Sequence, residues 1–109
     1  MFKIERTGGS REFRLTGELD MAVQNEFAEA LAEEVGLEGD LTLDLSALTF
    51  IDSAGIQALI RAADNLKDRG RLILRAPGKT VMRVFDLVRL DTAPNMQIST
   101  EEMPEDERT

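Results

Sequence analysis

Asp44-Leu45-Ser46-Ala47-Leu48-Thr49-Phe50-Ile51-Asp52-Ser53-Ala54-Gly55-Ile56 carries the chain from an apolar strand into a helix within two residues. Leu41-Thr42-Leu43-Asp44-Leu45 reads as the strand, and Leu48 to Ile51 as a brief apolar continuation of it. From Ala54 to Arg69, Ile56, Leu59, Ile60, Ala63 and Leu66 recur at helical spacing on one face, and Gly70 supplies a stop. Ser53 therefore falls at a helix N-terminus, where unpaired backbone N–H groups and the helix dipole create positive potential. A phosphate on that hydroxyl would meet donors from its own helix. The plainer alternative is that Asp52 or Ser53 caps the helix, worth about 1 kcal/mol. Gly55 likewise has two readings: a point of close approach for a partner's backbone or a nucleotide phosphate, or a packing residue inside the domain.

Working outward, Phe2, Ile4 and Arg6 alternate with polar neighbours, as do Phe13 and Leu15 beyond Gly8-Gly9, which predicts a β-hairpin. Between Asp20 and Val35 the apolar residues Val23, Phe27, Ala30, Leu31 and Val35 predict a helix with Glu26, Glu29, Glu33 and Glu34 outside. Asp20 is its candidate N-cap and Gly36 its stop. Leu72-Ile73-Leu74 is a short continuous apolar run, the pattern of a strand covered on both faces. A third helix after Pro77-Gly78 is marked by Val81, Val84, Phe85 and Val88, and Met96 to Ile98 form a last edge strand. A hairpin followed by alternating helices and strands predicts an α/β fold: a mixed sheet with right-handed crossovers and helices packed on it. Residues 1–98 form the expected domain. The remaining residues 99–109 are acidic and polar, with the composition of a disordered tail.

Composition removes whole classes of function. At 109 residues the chain suits one domain, which hides roughly two thirds of its unfolded surface. It has no cysteine and no histidine, which excludes disulfides, thiolate zinc sites, thiol nucleophiles and the ordinary Ser-His-Asp arrangement. The expectation is a non-enzyme with no cofactor and no metal. A formal net charge of −8 opposes counterion release, so nucleic acid and anionic membrane are poor partners. The N-terminal Met1-Phe2-Lys3-Ile4-Glu5-Arg6 lacks a signal-peptide core, and no window has the length of a membrane span, so the expected location is cytoplasmic. With neither Trp nor Tyr, candidate interface anchors reduce to Arg, Leu and Phe.

Four segments, taken together and in order, resemble the STAS family of anti-sigma-factor antagonists. They are Gly17-Glu18-Leu19-Asp20, Leu41-Thr42-Leu43-Asp44-Leu45-Ser46, Phe50-Ile51-Asp52-Ser53-Ala54-Gly55-Ile56 and Gly70-Arg71-Leu72-Ile73-Leu74. The resemblance implies the STAS fold and a partner-binding role. In the family the serine after this Asp is phosphorylated by a partner that is both anti-sigma factor and kinase, with a histidine-kinase-like ATPase fold, and that position matches Ser53. It also implies that the unmodified protein binds the anti-sigma factor and frees sigma, that the phosphorylated protein lets go, and that a serine phosphatase resets it. Asp20 would help shape the kinase-facing surface, or simply cap the first helix. The implied partner-binding set is Asp20, Asp52, Ser53, Ala54 and Gly55, in a monomer or weak dimer. The residue after the serine is often Ser or Thr in the family and is Ala54 here, leaving Ser53 as the only hydroxyl between Phe50 and Gly55.

Three other patterns carry less. Gly78-Lys79-Thr80 looks like the end of a P-loop, but the required earlier glycine falls on Ile73. Ile51-Asp52-Ser53-Ala54-Gly55 resembles a nucleophile elbow without its first glycine and without a histidine to activate the serine. The carboxylates Glu101, Glu102, Glu105, Asp106 and Glu107 match no cation-loop spacing. The competing functional assignment is a STAS subunit of a lipid-transport or stress-signalling assembly in which Ser53 is only a cap.

Overall fold

In the computed structural model the described residues are 1–8 and 11–100; Gly9 of the expected hairpin turn and residues 101–109 of the expected tail lie outside them. Strands β1 (Phe2–Arg6), β2 (Glu12–Leu19), β3 (Leu41–Ile51), β4 (Leu72–Arg75) and β5 (Met96–Ser99) form one sheet in the order β1-β2-β3-β4-β5. The hairpin pair β1 and β2 is antiparallel, and every later pair is parallel. Helices α1 (Gln24–Leu31), α2 (Ser53–Leu66) and α3 (Lys79–Leu87) fill the three parallel crossovers. Because each crossover advances by one strand in the same direction, the right-handed rule puts all three helices on one face. Among the described residues one core cluster accordingly joins Phe27 and Leu31 of α1, Leu59 and Leu66 of α2, and Val81 and Phe85 of α3 to the inward leucines of β2, β3 and β4.

The two apolar pieces expected around residues 41–51 are one strand, kept in phase with the core by two irregularities. Arg14 pairs with Asp44, but Thr16 pairs with Ala47; Gly17 pairs with Leu48, but Glu18 with Phe50. An extra residue on β3 at each step lets Leu43, Leu45, Leu48 and Ile51 all face the helices despite their uneven spacing. The first bulge is pinned by Asp44, whose Oδ1 accepts the Ser46 N–H at 3.0 Å while Oδ2 accepts from Arg14 Nε at 3.2 Å. Asp44 is buried and also lies 3.4 Å from Arg75 Nη2, which itself meets Glu12 at 2.5 Å. Burial pushes the Asp44 carboxyl upward, but its bonds from Ser46 and Arg14, with Arg75 nearby, outweigh that and hold it below its usual range.

Several expectations from periodicity need correction. The segment 20–35 is not one helix: a 3-10 turn at Met21–Val23 precedes α1, and another at Glu34–Gly36 follows it. The phase changes there, because a 3-10 turn has three residues rather than 3.6. Glu34, expected outside, is therefore buried, and Ala30, expected inside, is exposed. Glu34 accepts from Arg6 Nη2 at 2.8 Å and Arg11 Nη1 at 2.9 Å, and Arg11 also donates to the Leu37 and Gly39 carbonyls. Burial raises the Glu34 carboxyl's pKa, but the two guanidiniums more than compensate and set it below the usual glutamate value. In α2, which runs from Ser53 to Leu66 rather than from Ala54 to Arg69, Ile60 is 40% exposed instead of buried. Val88 is likewise exposed, just beyond α3. Ile73 is half-buried on the uncovered sheet face, beside Thr42 and Gln97, so β4 is covered on one face and not two.

Candidate functional site

The site is the end of the sheet where β2 and β3 release the chain side by side. Leu19 pairs with Ile51, and the next residues, Asp20 and Asp52, each turn into a helical segment. The Asp52 N–H donates to the Leu19 carbonyl at 3.3 Å, which ties the two exits together. Asp20 caps the 3-10 turn, its carboxylate accepting the Ala22 N–H at 3.0 Å. Asp52 has extended backbone (φ −116°, ψ −172°) and caps α2, its Oδ1 accepting the Gly55 N–H at 3.0 Å and its carbonyl accepting the Ile56 N–H at 2.9 Å. This is the N-cap geometry of the standard motif.

Capping therefore falls to Asp52, and Ser53 is left as the first residue of the helix. The Ser53 side chain is exposed and its hydroxyl has no hydrogen-bond partner among the described residues; the Ser53 and Ala54 N–H groups, at the helix start, also donate to nothing there. A nucleophilic oxygen, two open backbone donors and an aligned helix dipole thus share one exposed corner. Two carboxylates, Asp20 and Asp52, flank it. Such an arrangement can accept a phosphoryl group without disturbing any bond that holds the helix.

Gly55 enters the site as a packing residue. It is buried, and a Cβ there would overlap the Leu19 carbonyl oxygen and lie 2.7 Å from Ile51 Cγ1. The first turn of α2 rests on the end of β2 at glycine distance, so Gly55 sets the position of Ser53 from beneath and presents no surface of its own. Ala54 is half-buried, and its carbonyl accepts from Gln24 Nε2 at 3.1 Å. Gln24, the first residue of α1, thereby joins the two helix starts. In sequence, a glutamine in a first turn carries no signal of a bond thirty residues away. Met21 (74% exposed) directly follows Asp20, and Phe50 (45% exposed) lies three residues before Ser53, so exposed apolar residues adjoin both exits in sequence. Among the described residues no group of three or more Asp and Glu is arranged to hold a metal ion, and no helix is long and apolar enough to cross a membrane.

A sheet begun by an antiparallel hairpin and continued in sequential parallel order, with an Asp-capped helix presenting a serine beside a second acidic turn, defines a small α/β domain built around one loop corner. The chain belongs to the STAS domain family, whose profile matches residues 1–103. Among solved structures, the chain is similar to the anti-sigma factor antagonist SpoIIAA in its unphosphorylated form, at 20% identity and a TM-score of 0.65, over 99% of this chain and 94% of that one. It is also similar to the Bacillus cell fate determinant SpoIIAA in the phosphorylated form, at 24% identity and a TM-score of 0.63 over the whole of both chains. An anti-sigma factor antagonist from Mycobacterium paratuberculosis matches at 24% identity and a TM-score of 0.66, over 89% of this chain and 84% of that one. At these identities the likeness concerns the fold. No curated protein sequence gives a significant match.

Proposed function

We propose that the protein is an anti-sigma factor antagonist switched by phosphorylation of Ser53. The unmodified form binds an anti-sigma factor that is also a serine kinase of histidine-kinase-like ATPase fold, and so releases sigma. Phosphorylation by that partner ends the complex, and a serine phosphatase restores it, all in the cytoplasm and without a cofactor bound to this chain. The observation that carries the reading is the division of labour at the start of α2: Asp52 makes the capping bond, and the exposed Ser53 hydroxyl has no structural task among the described residues. Membership of the STAS family and likeness in fold to antagonists in both modification states support it.

The release step follows from charge and shape. A phosphate adds about −1.5 to −2 charges beside Asp52 and near Asp20, on a chain already at −8. The two open N–H groups hold it on the helix start, so the fold is kept while a partner surface shaped for a hydroxyl meets bulk and negative charge. A penalty of about 3 kcal/mol weakens binding by two orders of magnitude. Met21 and Phe50 are the apolar anchors that such a partner would cover.

The competing assignment, a subunit of a lipid-transport or stress-signalling assembly without phospho-switching, gives the Ser53 hydroxyl no task, because the capping bond is made by Asp52. The test uses the cognate kinase with ATP and magnesium. Intact-mass measurement should find one phosphate on the wild type and none on Ser53→Ala, which should still bind. Ser53→Asp should bind at least about tenfold more weakly by calorimetry, a partial effect because it carries about half the charge of a phosphate. Phosphate on Ser53→Ala, or a complex that survives stoichiometric modification, would refute the assignment.

A further inference from the structure

We infer that β1 is a self-pairing edge, through which two copies of the chain join antiparallel about Ile4 into one continuous sheet. The inference stands apart from the Ser53 switch, since β1 is an outer strand of the sheet and β2 lies between it and β3.

The backbone sets which residues face outward. Thr7 N–H donates to the Glu12 carbonyl at 3.0 Å, continuing the register in which Glu5 meets Arg14 and Lys3 meets Thr16. In an antiparallel ladder hydrogen-bonded and non-bonded pairs alternate, so the odd-numbered residues of β1 spend their N–H and C=O groups on β2. Phe2 and Ile4 turn theirs to the open side. An exposed strand edge of this kind is a template for another strand.

Side chains then choose the partner and the register. An antiparallel copy centred on Ile4 sets Ile4 against Ile4 and Phe2 against Arg6. It sets Lys3 of each copy against Glu5 of the other. Lys3 and Glu5 share the uncovered face of the sheet, both about half exposed (59% and 48%), and lie 3.8 Å apart within one chain. In the paired edges they close into a four-charge cluster of alternating sign, at the non-bonded positions where side chains of opposed residues come closest. Sliding the pairing by one step in one direction brings Lys3 against Lys3, and in the other Glu5 against Glu5. Like charges directly opposed are unfavourable, so one register is selected and the strand is complementary to itself. A second copy is the occupant that this symmetry fits; five residues with two exposed ion pairs make the association weak.

Sedimentation velocity of the full chain, from about 10 µM to about 1 mM, should show the 12.1 kDa monomer giving way to a species of twice that mass. Lys3→Glu and Glu5→Lys each place like charges across the edge and should weaken self-association at least about tenfold. Mixed in equal amounts, the two variants should form a heterodimer about as tight as the wild-type dimer. Ile4→Pro removes an outward N–H without breaking the ladder to β2 and should leave a folded monomer by circular dichroism. Wild type that stays monomeric to about 1 mM overturns the inference. So does a dimer indifferent to the charge variants, or a pair of oppositely charged variants that do not prefer each other. Because Lys3 and Glu5 are surface residues, the mixing experiment decides the matter even if the proline variant unfolds.

Discussion

Replacing Gly55 by alanine should destabilise the protein even though alanine is the better helix former. In an unobstructed helix interior the change gains up to about 1 kcal/mol. Here the new methyl would overlap the Leu19 carbonyl oxygen and sit 2.7 Å from Ile51 Cγ1, so either α2 lifts or the β2 exit moves. Overpacking of this kind costs about 1–3 kcal/mol, and the first obstacle is backbone, which yields least. The net expectation is a loss of about 1–2 kcal/mol. For 109 residues the unfolding entropy near the midpoint is about 0.23 kcal/mol/K, so Tm should fall by about 4–9 °C. Thermal and urea unfolding followed by circular dichroism measure it, with Gly36→Ala as the control. Gly36 lies outside the left-handed region and has nothing within 4 Å of its would-be Cβ. A Gly55→Ala variant as stable as wild type would mean that α2 does not rest on β2 as described, and the account of how Ser53 is positioned would fall with it.

Asp52→Ala should cost about 1 kcal/mol by removing the cap, while Ser53→Ala should change stability by less than about 0.5 kcal/mol; equal losses in parallel urea titrations would contradict the division of roles between them. Ile60→Ser should cost about 1 kcal/mol, and a loss of about 3 kcal/mol or more would restore the buried position that periodicity suggests. Glu12, Glu34 and Asp44 all have folded pKa values below their ordinary ones, Glu12 chiefly through its bond to Arg75. In the acid range the unfolded chain therefore binds more protons, so stability is fully present above about pH 4.5 and is lost as pH falls through the folded values. Glu34→Gln should flatten that acid limb in urea midpoints measured from about pH 6 down to about pH 3, and an unchanged slope would show that Glu34 is not linked to folding.

The order of the elements and the location of the corner were legible because they rest on local pattern. Asp-Ser before an apolar helical stripe announces a helix start, and Gly-Glu-Leu-Asp after alternating Phe13 and Leu15 announces a strand exit. Which of Asp52 and Ser53 caps was not legible, since either oxygen suits an N-cap; the extended backbone at Asp52 decides it. Gly55 read equally as an opening for a partner and as a packing contact, because its neighbour, the Leu19 carbonyl, comes from thirty-odd residues earlier. Gln24 carries no local signal for the same reason: its bond to Ala54 is tertiary. The burial of Glu34 is hidden in sequence because helical phase does not continue past the end of α1, and that of Ile73 because a continuous apolar run does not tell how many faces of a strand are covered. The latter depends on every crossover moving in the same direction, which is a property of the whole chain.

That sequential strand order also bears on how the protein comes into being. Glu12 pairs with Thr42, Thr42 with Ile73 and Ile73 with Gln97, so each strand docks on one made about thirty residues earlier. As the nascent chain leaves the ribosome, every new strand finds its neighbour already synthesised, and no early segment waits for the last one. Assembly can therefore proceed from the hairpin outward, with the growing edge always the youngest part of the molecule.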